Sequence, residues 1–151
     1  LAAAVDAVCP TLVPANESAL AEVVLHVRVG DVLCVRPKNP HLHVQRQPPP
    51  VAEVARVVSA VAGTAPLRII FGFHFKVCEA ESYAYLRALA AATGAKLAAE
   101  AHPDVHFCHA VYAALFIQGK GGYSRLVRVV RDAKRKPSVF VAALADFGES
   151  F

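Results

Sequence analysis

The sequence predicts an α/β fold: a small parallel four-stranded sheet flanked by helices, with an N-terminal strand/helix extension. Three observations carry that prediction. From Leu67 onward the pattern runs strand, helix, strand, strand, helix, strand, an order that packs helices on both faces of a parallel sheet. The stretch 119–136 reads as a glycine-rich loop opening an amphipathic helix that Pro137 stops. Residues 139–144 form a continuous apolar run, as a strand buried on both faces requires.

A chain of 151 residues, 56% hydrophobic and 19% charged, is long enough to bury a core and too apolar for disorder to be the default. No apolar run reaches the length of a membrane span. Leu1 in place of a start methionine predicts an excised fragment. The patterning divides the chain into a structured extension, 1–65, and a main domain, 66–151. A net charge of +4 and a pI near 9.0 permit a polyanionic partner without demanding one, because the basic residues are dispersed except across 125–136.

Taken in order, an alanine-rich start meets Pro10, Pro14 and Asn16, and a second helical attempt spans 17–22. Residues 23–35 alternate as two strands with Gly30 and Asp31 as a tight turn, and 42–45 add a short third strand. Pro48, Pro49 and Pro50 make a stiff spacer before a helix over 51–62. The run 67–77 is a strand with Gly72 near its end. A helix over 79–93 follows, with acidic residues in its first turn, Tyr83, Leu86 and Ala90 as its inner stripe, and Gly94 as its left-handed cap. Short and long strands are expected over 96–99 and 105–116.

In the last helix, Leu126, Val129, Val130 and Ala133 share one face, and Ser124 occupies an N-cap position. Arg125, Arg128, Arg131, Asp132, Lys134, Arg135 and Lys136 fill the rest. Arg125 and Arg128 lie near the positive end of the helix dipole, which disfavours them by a few tenths of a kcal/mol. Either Arg128 pairs with Asp132 one turn on, or the two arginines and the free amides await an anion.

Enzymatic constellations are thin. Cys9, Cys34, Cys78 and Cys108 are widely spaced with no CxxC pair, which predicts small core residues in a reducing, intracellular compartment rather than a zinc framework. On a strand, His106 and His109 would face opposite ways, and His41 and His43 would share a face. The 119–124 stretch GKGGYS lacks phosphate-loop spacing, and Ser59, Ser82 and Ser124 sit in no paired-base motif.

The order of these signals resembles the BRCT family. IIFGF with Gly72 is similar to its first strand, Gly94 and Ala95 to the turn closing its first helix, and Val105 to Cys108 to its histidine-bearing strand. VFVAALADFGESF resembles the last strand and the opening of the closing helix, with Phe147 nearest to the tryptophan found there in the family. The resemblance implies a non-enzymatic adaptor in a nuclear chromosomal or kinetochore assembly. Its partner would be a phosphoserine or phosphothreonine protein or peptide, with DNA, held by the basic helix 125–136, as the alternative. It implies no cofactor, metal, membrane or small-molecule substrate. By the same resemblance, Gly72 supplies a phosphate-binding amide, Arg125 or Arg128 the cation, and Lys120 support from the glycine loop. Phe71 stands where the family carries a hydroxyl. His106, in the same resemblance, orients loops by hydrogen bonding and takes no catalytic part.

Overall fold

A computed structural model describes residues 2–13, 21–34, 47–74, 78–98 and 102–141. Its elements are α1 (Ala2–Leu12), β1 (Val23–Gly30), α2 (Asp31–Cys34), α3 (Val51–Val61), β2 (Leu67–His74), α4 (Glu79–Thr93), β3 (Lys96–Leu97), α5 (Pro103–Tyr112), β4 (Leu115–Gln118), α6 (Gly122–Ala133) and β5 (Ser138–Phe140).

The class is the expected one, α/β with an all-parallel sheet between helices, but the sheet has five strands in the order β3-β2-β1-β4-β5. The additional strand is β1, which the sequence reading placed in the extension. It lies at the centre, paired with β2 from Val23↔Leu67 to Gly30↔His74 and with β4 from Val23↔Leu115 to Leu25↔Ile117. The stretch expected as a structured extension, 1–65, thus contributes a strand to the same sheet as residues 66–151. Among the described residues, 23–34 form no hairpin: Gly30, at φ +86°, ends the strand, and the chain turns directly into α2.

Alternation along β1 explains the two layers. Val23, Leu25, Val27 and Val29 point to a core shared with Val54, Val57 and Val58 of α3 and Leu86 and Leu89 of α4. Val24 points the other way, joining Ile70 and Phe116 against Val5 and Cys9 of α1, Ala110 and Val111 of α5, and Val127 and Val130 of α6. The two connections before β3 thus pack on one face and the two after it on the other. This is a doubly wound sheet whose strand order reverses between β1 and β4.

Several expectations change in detail. The stretch 105–112 is helical rather than extended. His102 caps α5 by accepting from the Asp104 amide, Pro103 occupies the first turn, and together they make a helix start that outweighs the strand-like residues behind it. The strand begins only at Leu115. β5 covers Ser138–Phe140, and residues 142–151, with Phe147, lie outside the described residues, as do 14–20 and 35–46. The helices over 51–61 and 79–93 and the Gly94 cap (φ +67°) stand as read; Ser82 and Leu89 join Leu86 in the buried stripe of α4.

In α6 the inward residues are Ser124, Val127, Val130 and Arg131, whereas Leu126 and Val129 are exposed. Arg131, expected on the solvated face, is fully buried. Its Nη1 donates to the carbonyls of Ala110 (2.7 Å), Val111 (3.0 Å) and Ala113 (2.9 Å), and its Nη2 to Pro137 (2.6 Å). One guanidinium so satisfies the carbonyl-rich end of α5, where no glycine cap is present. Burial lowers its pKa to about 10, which leaves it charged at neutral pH.

The cysteines are paired rather than free. Cys9 and Cys108 join α1 to α5 with Cα atoms 5.3 Å apart, and Cys34 and Cys78 join the end of α2 to the start of α4 with Cα atoms 6.1 Å apart. Both separations fall within the range a disulfide spans. The inference of a reducing compartment, which rested on unpaired thiols, loses its premise.

Candidate functional site

In an open parallel sheet, the place where strand order reverses leaves a crevice outside the carboxyl ends of the two central strands. Here that place lies between β1 and β4. Their ends carry Arg28, Gly30 and Asp31 on one side and the 118–122 loop on the other. The crevice is lined by Leu25, Val27, Val54 and Val141, by Pro48, Pro49 and Tyr85, and by Gly119. Its charged lining residues are Arg28 and Lys120. The Tyr85 hydroxyl donates to the Pro49 carbonyl at 2.7 Å and so fixes the proline wall against α4.

The loop is shaped by its glycines at two points. A Cβ at Gly119 would fall 2.2 Å from the His26 carbonyl oxygen, so only glycine lets the loop lie on the β1 backbone. Gly121 holds φ at +113°, a conformation open to glycine, and its Cα faces the stem of Arg28. Gly121 is also the N-cap of α6, and no side chain caps that helix. The first turn contains no acidic residue. Its amides and the helix dipole point out at the strand ends beside Lys120, a local field suited to an anion.

Beneath the loop is a polar joint that the sequence did not reveal. Ser124, read as an N-cap, lies within the first turn and is fully buried. Its hydroxyl and the Nδ1 of His26 satisfy each other across the sheet–helix boundary. The His26 ring also packs against Tyr123, centroids 4.8 Å apart, and the Tyr123 hydroxyl donates to the Pro103 carbonyl at 2.9 Å. Gln118 is buried at the root of the loop, and its Oε1 has no hydrogen-bond partner among the described residues.

Burial, with a smaller contribution from His106, lowers the His26 pKa from 6.5 to about 4. The folded state therefore holds this ring neutral at pH values where the unfolded chain protonates it. Its contribution is fully present above about pH 6.5 and is lost as pH falls toward 4, an effect on the order of 3 kcal/mol. Urea melts at pH 7.0, 5.5 and 4.5 are expected to show stability falling at each step, and His26→Gln should flatten the steepest part of that fall.

The phosphate residues expected from the resemblance do not all converge. Gly72 is exposed within β2 and is paired in register with Arg28; β1 separates its strand from β4. Lys120 lines the crevice. Arg125 is exposed in the first turns of α6. Arg128, half exposed, pairs with Asp132 at 3.5 Å, the less eventful of its two readings. Much of the remaining cationic cluster serves the fold. Arg131 is buried, Lys134 bridges to Asp6 of α1, and Lys136 lies over the Tyr112 ring and donates to the Tyr112 carbonyl at 3.2 Å. His106 and His109 share α5, one buried and one half-buried. No group of three or more ligating side chains converges among the described residues.

Arg28 and His26 escape a reading of the sequence for one reason: both sit on β1, and nothing in its pattern places that strand beside the glycine loop that begins at Gly119. The signal was present as strand, glycine loop and helix across 115–133. The chain matches no protein-family model and no curated protein sequence.

Proposed function

We propose that this chain is a non-enzymatic binding domain that holds a phosphorylated protein or peptide at the crevice between the ends of β1 and β4. One observation carries the reading: an uncapped helix opens from a glycine loop at the strand-order reversal, with Lys120 on the lining and Arg28, paired to Asp31 at 2.9 Å, beside it. A phosphoryl group there meets backbone amides and a lysine, which bind an oxyanion through charge-assisted hydrogen bonds. Arg125 borders the same helix end, whereas Gly72 and Arg128 contribute nothing to this version of the site. The apolar side of the crevice, with Pro48, Pro49 and Tyr85, suits the side chains that flank the modified residue.

Binding to DNA through α6 is the weaker reading, because Arg131, Lys134 and Lys136 are engaged within the fold. The test is fluorescence anisotropy with a degenerate phosphoserine and phosphothreonine peptide pool, its unphosphorylated counterpart and a DNA duplex, each at two salt concentrations. The expected result is phosphate-dependent peptide binding, weakened at least about tenfold by Lys120→Glu, roughly the value of one charge-assisted hydrogen bond. Binding that ignores phosphorylation would reject the reading. Duplex binding that falls steeply with salt would favour the nucleic-acid alternative.

A further inference from the structure

The two disulfides occupy very different settings. Cys9 and Cys108 are each 2% exposed, sealed between α1, α5 and the sheet. Cys34 is exposed at the end of α2, and Cys78 is partly exposed at the N-cap of α4. Cys78 also sits at φ +60°, a left-handed conformation that costs a non-glycine residue about 1 kcal/mol or more.

A second, non-covalent tie runs parallel to the exposed bond. The Gly30 amide donates to the Ser82 hydroxyl at 2.9 Å, and that hydroxyl donates to the Cys78 carbonyl at 2.6 Å. Ser82 is fully buried. The end of β1 therefore stays joined to the first turn of α4 whether or not the sulfurs are bonded. The outer turn is held besides by the Arg28–Asp31 pair at 2.9 Å and the buried Val32, so the sheet end does not depend on the sulfurs.

We propose that Cys34–Cys78 is a redox-reversible clasp at the strand-end edge of the domain, while Cys9–Cys108 is a permanent tie. The clasp opens to a small thiol such as glutathione. A thiolate attacks the accessible Cys34 sulfur, the S–S bond breaks, and Cys78 leaves as a thiolate that takes up a proton. A second thiolate then resolves the mixed disulfide. Cys34 and Cys78 end as two thiols, having gained two electrons and two protons, and the two reductant molecules end joined as their disulfide. Access decides which bond reacts, since the thiolate must reach a sulfur in line. The inference stands whether or not the crevice takes phosphate, because its readouts involve no ligand.

The experiment is native-state labelling of the oxidised protein. The protein is incubated in graded reduced and oxidised glutathione, quenched with an alkylating reagent and mapped by peptide mass spectrometry, with hydrogen exchange followed in parallel. Cys34 and Cys78 are expected to label at least tenfold faster than Cys9 and Cys108. Exchange should rise in 31–34 and the first turn of α4 and stay unchanged in α1 and α5, and oxidised glutathione should reverse both effects. The double variant Cys34→Ser/Cys78→Ser should fold and reproduce the reduced exchange pattern. Equal labelling rates for the two pairs overturn the proposal, as do Cys34 and Cys78 already free before reductant is added, or loss of the fold when they open. If the double variant fails to fold, that also counts against it, because the Ser82 link then does not suffice.

Discussion

Replacing Arg131 with methionine is expected to cost about 3 kcal/mol or more, against a total stability of roughly 5–15 kcal/mol for a domain of this kind. Methionine keeps the apolar stem but removes every donor. The carbonyls of Ala110, Val111 and Ala113, each now within 3.0 Å of the guanidinium, would be left buried without partners. A single stranded acceptor costs about 1–3 kcal/mol; the sum is not additive, and some is regained because a desolvated charge disappears. The comparison is Arg128→Met, one turn earlier on the same helix. Its side chain is half exposed and its ion pair with Asp132 spans 3.5 Å, so a loss of about 0.5 kcal/mol or less is expected. Urea unfolding of the two variants checks both numbers, and equal losses would mean that the carbonyl cluster does not depend on the guanidinium.

The second large effect is expected at Gly119. An alanine there places its methyl carbon 2.2 Å from the His26 carbonyl oxygen, a contact that only movement of backbone can relieve. Overpacking of this kind costs about 1–3 kcal/mol and occasionally more. Here it also pushes the loop off β1 and displaces Lys120, so ligand binding should fall together with stability. Gly122→Ala, in the same loop, meets nothing within 4 Å and occupies the first helical position, where alanine is the better helix former. That variant is expected to match or exceed the parent in thermal melts, by up to about 1 kcal/mol. A shared loss in both variants would show that the loop is constrained as a whole rather than at one contact.

The same two pairs explain how much could be read before the structure. Periodicity identified α3, α4 and α6 because helices show their amphipathic repeat within a dozen residues, and the proline and glycine stops fixed their ends. It could not tell Arg131 from Arg128. Both follow the polar pattern of α6, and what distinguishes them is the end of α5, which arrives from elsewhere in the chain. For the same reason Leu126 and Val129 counted as inner residues although the sheet lies on the side of Val127 and Val130. The alternation over 23–35 suggests a hairpin, whereas the strands that pair with β1 begin at Leu67 and Leu115, far away in sequence. VVLHVRVG was therefore recognisable as a strand but not as the central one, and a site built on its neighbours could be read only in part. Lys120 and the glycine loop were legible, whereas the Arg28 and His26 side of the crevice was not.

The position of β1 also governs the order in which the molecule can assemble. On the ribosome the middle strand emerges ahead of both its neighbours, and Val23 must wait for Leu67 on one edge and for Leu115 on the other. Few of its contacts are local, so loop-closure entropy is incurred before any pairing is gained, the condition associated with slow folding. Until β4 has left the exit tunnel, one border of an apolar ribbon lies open to any extended chain nearby, so chaperone capture of the nascent polypeptide would matter most in that interval.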